Sequence, residues 1–180
     1  MKIKGMLPTV VTMGNIMCGF FAILCVSSQR LEIAAWLIVA AMALDAFDGR
    51  LARMMKSTSM IGAQLDSMAD LVTFGIAPAM LMIKTCTNFP VVFLWSVGLF
   101  FMICAALRLA RFNVQKDESV NMPRHFFTGL PTTLSGGTIA QLVILNHFVQ
   151  IRYGSNMVVM LLPFITFALG LFMVSKIPFF

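Results

Sequence analysis

The sequence predicts an all-α integral membrane protein: one domain, residues 1–180, built from six transmembrane helices. Three observations lead there. The 180 residues are 59% hydrophobic and 11% charged, with mean hydropathy +0.92, far from the make-up of a soluble domain. The apolar residues fall in six runs, 8–29, 32–54, 61–84, 90–112, 129–150 and 156–175. Each is near the roughly 20 residues that a helix needs to cross a bilayer. Finally, no polar stretch between runs is long enough to bury a core of its own; Asn113 to Thr128 is the longest.

Taken in order, the first run begins at Pro8, which suits the first turn of a helix. It carries Thr12 and Asn15 one to two turns inside. It lacks a small-residue cleavage site with a soluble domain behind it, so it is expected to stay in the mature protein. The second run carries Asp45 and Asp48. Lys56-Ser57-Thr58-Ser59 then breaks the apolar pattern and lets the chain reverse as a helical hairpin, with a Ser or Thr to cap the third helix. The third run carries Asp66 and Asp70, and Gly75 with Pro78 is expected to bend it. The fourth ends on Arg108 and Arg111. In the fifth, Gly136-Gly137 reads as a site of close helix packing rather than phosphate binding. Cys18, Cys25, Cys86 and Cys104 lie in or beside apolar runs without metal spacing and read as packing residues. His125 and His147 have no partner pattern and are taken as structural.

Basic residues orient the chain, because cytoplasmic loops carry the excess of Lys and Arg. With both termini inside, Lys2, Lys4, Arg50, Arg53, Lys56, Arg108, Arg111, Lys116, Arg124 and Lys176 are cytoplasmic; Arg30, Lys84 and Arg152 are outside. The net charge of +6 thus reads as a topology signal with attraction to anionic lipid. No basic patch interleaved with aromatics points to nucleic acid.

The acidic residues break the apolar rule. Of seven, Asp45, Asp48, Asp66 and Asp70 lie in the interior of the second and third runs, although a mid-span Asp costs roughly 2.5–3.5 kcal/mol. Asp45 and Asp48 are three apart and Asp66 and Asp70 four apart, so each pair shares a helix face. At about 1.5 Å per residue, the apolar lengths Ile33–Leu44 and Leu71–Ile83 put both pairs at one level, roughly 10 Å beneath the cytoplasmic boundary. Thr12 and Asn15 reach a similar depth. Oxygen ligands without His or Cys favour hard cations, so two Mg2+ or Mn2+ ions are expected there, an arrangement suited to phosphoryl transfer. Ion pairing with Arg50 and Arg53 is the structural alternative, yet two arginines do not balance four acids. A divalent-cation transporter is the functional alternative, weakened because all four acids cluster on one side of the membrane. Arg108 and Arg111, three apart on one face, offer donors for a carboxylate or phosphate, with Asn113 a weaker candidate.

Asp45-Ala46-Phe47-Asp48-Gly49-Arg50-Leu51-Ala52-Arg53, followed after eight residues by Gly62-Ala63-Gln64-Leu65-Asp66-Ser67-Met68-Ala69-Asp70, fits D-x2-D-G-x2-A-R-x8-G-x3-D-x3-D. This resembles the signature of the CDP-alcohol phosphotransferases. The resemblance implies that family's six-helix, commonly homodimeric fold, with Asp45, Asp48, Asp66 and Asp70 as metal ligands and Asp70 as general base. It also implies a nucleotide or diphosphate site at Gly49, Ala52, Arg53 and Gly62, to which depth adds Asn15 and Thr12. Phe74-Gly75-Ile76-Ala77-Pro78-Ala79, Ala106-Leu107-Arg108-Leu109-Ala110-Arg111-Phe112-Asn113 and Phe127-Thr128-Gly129-Leu130-Pro131 are similar to the branch that uses L-serine. Thr132 and Thr133 depart from that pattern by standing where another proline is common. The implied reaction moves the phosphatidyl group of CDP-diacylglycerol to the serine hydroxyl in the cytoplasmic membrane, releasing CMP. Other acceptors in the family, such as glycerol 3-phosphate, inositol phosphate or an archaeal ether-lipid system, share the acid motif.

Overall fold

The computed structural model describes residues 6–55, 60–118, 129–153 and 157–175, and side chains at 12–47, 62, 64–114, 129–152 and 157–175. Every regular element among them is helical. The Lys56–Ser59 reversal, Arg124, His125 and Lys176 lie outside the described residues.

Helix α1 (Met6–Ser27) ends where Gln29 takes a left-handed φ of 61°. Arg30 N–H then reaches Cys25 O at 2.8 Å and Gln29 N–H reaches Val26 O at 3.1 Å, the pair of bonds that closes a Schellman turn. Only Arg30 then separates this turn from α2 (Leu31–Met55), so the two helices pack side by side.

The third apolar run is not one regular helix. Its first part, α3 (Met60–Asp70), passes into a π-helical segment, Leu71–Ile76, before α4 (Ala77–Thr85). Pro78 has no N–H to give Phe74 O, and Ala77 N–H bonds Val72 O instead, five residues back. The expected irregularity at Gly75 and Pro78 thus takes the form of a widened turn directly after Asp70.

Helix α5 (Val91–Glu118) runs six residues beyond the apolar stretch that ends at 112, so the first part of the polar connection is helical. Helix α6 (Thr132–Tyr153) begins at 132 rather than 129, because Gly129 adopts φ +94° and Leu130 N–H bonds Phe172 O at 3.2 Å. Pro131 then supplies the carbonyl for Ser135 N–H at 3.0 Å. Helix α7 (Met157–Val174) packs along α5, where Phe100 and Phe167 stack at 4.6 Å.

Among the described residues, 64–85, 91–114, 132–152 and 157–174 are helices long and apolar enough to cross a membrane, and Thr12–Ser27 is a shorter apolar helix. The interior combines many alanines with large side chains such as Phe74 and Phe101, and other large apolar side chains face outward, as expected where lipid replaces water. Ala22, Ala34, Ala35, Ala41, Ala77 and Ala105 are buried, whereas Phe20, Trp36, Trp95 and Phe164 face outward. The π segment lies at the centre of this packing: Thr73, Phe74 and Gly75 are buried. A Cβ on Gly136 would come within 2.6 Å of Phe74 O, and one on Gly19 or Gly137 would collide with Thr73 or Met42. The Gly136-Gly137 pair does serve close helix packing.

Candidate active site

Asp45 projects from α2, and Asp66 and Asp70 from α3. One carboxylate oxygen from each lies within 4.8 Å of the others, and all three residues are half-buried. Sequence spacing placed each pair on one helix face; the packing of α2, α1 and α3 brings the faces together. Asp48, Gly49, Ala52 and Arg53 continue along α2, with side chains outside the described set. Gly62 is half-buried on α3.

Helix α1 supplies a third wall. Asn15, 2% exposed, donates from Nδ2 to Asp70 Oδ1 at 3.3 Å. Its backbone carbonyl accepts from Thr73 Oγ1 at 3.1 Å. Thr12, one turn earlier, is also buried. The π segment thereby turns a threonine toward α1 and holds Asn15 against Asp70. Asn15 Oδ1 itself is buried without a hydrogen-bond partner. A buried carbonyl of that kind costs about 1–3 kcal/mol unless something donates to it.

Helix α5 closes the fourth side. Ser67 Oγ donates to Asn113 Oδ1 at 3.0 Å, tying the helix of Asp66 and Asp70 to α5. Arg108 donates from Nη1 to Thr132 Oγ1 at 2.7 Å, and its charge interacts with Asp70. Its Nε is buried and unpartnered. Arg111, expected to work beside it, is exposed and donates from Nη1 to Val174 O at 3.2 Å, at the end of α7. The two arginines are therefore not a matched pair. Thr73 and Ser67 were not singled out by sequence reasoning, and Thr132 only as a departure from the family pattern. Hydroxyls within an apolar run next to the acids were the available signal for the first two.

Does this donor set fit a divalent cation? Three carboxylates converge with no sulfur or imidazole among them, the ligand chemistry of a hard cation. Like charges this close repel strongly in a site of low polarity. The residues fit.

A bundle of long apolar helices carrying a half-buried cluster of three carboxylates has the ligand chemistry used for phosphoryl transfer. Comparison with known proteins gives the family. The chain matches the CDP-alcohol phosphatidyltransferase family over residues 5–173, and it belongs to that family. Among curated relatives, it is 34% identical over 180 residues to a CDP-diacylglycerol–serine O-phosphatidyltransferase of Helicobacter pylori (strain J99), covering 96% of this chain and 70% of the relative. A Bacillus subtilis protein of the same name is 36% identical over 174 residues, covering 96% and 89%. A Saccharomyces cerevisiae protein of that name is 39% identical over 141 residues, covering 69% and 49%.

Proposed function

We infer that this chain transfers the phosphatidyl group of CDP-diacylglycerol to the hydroxyl of L-serine, giving phosphatidylserine and CMP. The observation that carries the mechanism is the convergence of Asp45, Asp66 and Asp70 against Asn15. The relatives' shared name supports the acceptor.

Asp45, Asp48, Asp66 and Asp70 are proposed to hold two divalent cations, Mg2+ or Mn2+. When bound, such ions neutralise the diphosphate and stabilise the CMP leaving group. Asp70 takes the proton of the serine hydroxyl, which is otherwise a weak nucleophile, and the freed oxygen attacks the phosphatidyl phosphorus. Asn15 orients Asp70 through its amide and offers Oδ1 to a donor on the substrates. Arg108, held by Thr132, binds the serine carboxylate or a substrate phosphate with its remaining N–H groups. Gly49 and Gly62, without side chains, let the nucleotide approach the helix backbones, with Ala52, Arg53 and Thr12 lining its path.

The setting we propose is a six-span protein, dimeric like its family. In that count α1 and α2 join the four helices above, although α2 carries Glu32 as well as the acids. Both termini and the site face the cytoplasm, as the basic residues indicate. Acyl chains then stay in lipid while CDP and serine arrive from water.

The test is a product assay with CDP-diacylglycerol and equal concentrations of L-serine, glycerol 3-phosphate and inositol phosphate. Phosphatidylserine should dominate, and Asp70→Asn should abolish it. A different phospholipid as the main product would keep the metal site and remove the serine assignment.

A further inference from the structure

A threonine inside an apolar helix can donate to the carbonyl four residues back in its own helix. Thr85, Thr138 and Thr166 do so, reaching Leu81 O, Leu134 O and Leu162 O at 2.7, 2.7 and 2.8 Å. Thr73 crosses to another helix instead, donating to Asn15 O of α1 at 3.1 Å. It is wholly buried, in the π segment that follows Asp70. The α-helical pattern of α1 already commits Asn15 O to the N–H of residue 19, so the hydroxyl takes the second lone pair of that carbonyl. Gly19 leaves the room for it: a Cβ there would collide with Thr73 Oγ1 and stand 3.0 Å from Thr73 Cα.

This contact controls a second one. The Asn15 side chain donates to Asp70 Oδ1 at 3.3 Å, already past the usual range of about 2.7–3.2 Å for such a bond. A small displacement of α1 away from the π segment therefore removes it. The π segment is itself seated on α6, where a Cβ on Gly136 would stand 2.8 Å from Phe74 Cα. Against that seated segment, the Thr73 hydroxyl fixes where the Asn15 main chain stands, and with it the reach of the Asn15 amide.

We propose that Thr73 is a positioning residue for phosphatidyl transfer: its hydroxyl, lodged in the notch at Gly19, holds the Asn15 amide on Asp70 and so orients the proposed base. Being wholly buried, Thr73 acts through Asn15 and not by touching a substrate. The inference rests on Asp70 as the base in the reading above.

The test is steady-state CMP release by the full chain in detergent with Mn2+ and saturating CDP-diacylglycerol, as a function of L-serine, well below the thermal midpoint of each variant. Thr73→Val should lower kcat about fivefold and leave the KM for serine unchanged, the signature of an interaction used in the transition state. Thr73→Ala, which lacks the hydroxyl without adding bulk, should do the same. Thr73→Ser keeps the hydroxyl and loses the methyl, and should restore kcat. In an Asn15→Ala background, Thr73→Val should lower kcat no further, because the contact it controls is already gone. A packing role would give another pattern: Thr73→Ser slower than Thr73→Val, or losses that multiply in the double variant. Either result, or a wild-type kcat in Thr73→Val, would overturn the proposal. Asp70→Asn, run alongside, separates the two readings. If it abolishes release while Thr73→Val stays at wild-type kcat, the base stands and only the role of Thr73 falls; if Asp70→Asn remains active, both fall.

Discussion

Asn15 and Asp70 meet across 55 residues of sequence, with the Asn15 amide donating to Asp70 Oδ1 at 3.3 Å. The same residue's main-chain carbonyl accepts from Thr73, three places beyond Asp70. Asn15 is thus held at two points by the stretch that carries the proposed base. Asn15→Ala should lower turnover about tenfold, the scale of one hydrogen bond to a charged group. Steady-state CMP release, compared with an unchanged thermal midpoint, checks it.

Thr73→Val keeps the shape of a fully buried residue and removes its hydroxyl. It should cost about 1 kcal/mol of stability, because it removes the hydrogen bond that ties the π segment to the Asn15 carbonyl. Thr73→Ser should recover most of that loss in thermal unfolding.

The acids should affect activity and stability in opposite directions. Asp45→Asn or Asp66→Asn should reduce turnover about 10²-fold or more through lost transition-state stabilisation. In chelator, however, each should unfold at or above the wild-type temperature, since one of three crowded charges is gone. Adding Mn2+ should raise the wild-type midpoint and leave the variants' nearly unchanged.

Arg108 and Arg111 should separate kinetically. Arg108→Lys loses the planar fork that now engages Thr132 and should raise the KM for serine. Arg111→Gln removes a bond to Val174 O and should leave that KM alone. Serine titrations of both variants decide the matter.

Two glycines on different helices make a packing test. Gly136→Ala would drive a methyl toward Phe74 O and should cost about 1–3 kcal/mol. Gly14→Ala meets nothing within 4 Å and should stabilise by roughly 0.5–1 kcal/mol.

Much of this was readable in the sequence because membranes penalise charge. Asp45, Asp66 and Asp70 stand out in apolar runs, and equal depths predicted that they would meet. Helix ends were less legible. Gln115 to Glu118 continue α5 as good helix formers outside the apolar stretch, where hydropathy carries no signal. The π segment reads locally as an ordinary apolar turn, with only Pro78 hinting that a backbone donor is missing. Arg111 has the right spacing for a paired site, yet its partner Val174 lies 63 residues away and no local pattern joins them. Nor does any spacing join Glu32, at the start of α2, to His147, near the end of α6.

The most direct test of the central claim is CMP release from CDP-diacylglycerol by the purified protein with Mn2+, with and without L-serine, beside Asp70→Asn. The account predicts release that requires serine and disappears in the variant. Release that ignores serine, or that persists in Asp70→Asn, would contradict it.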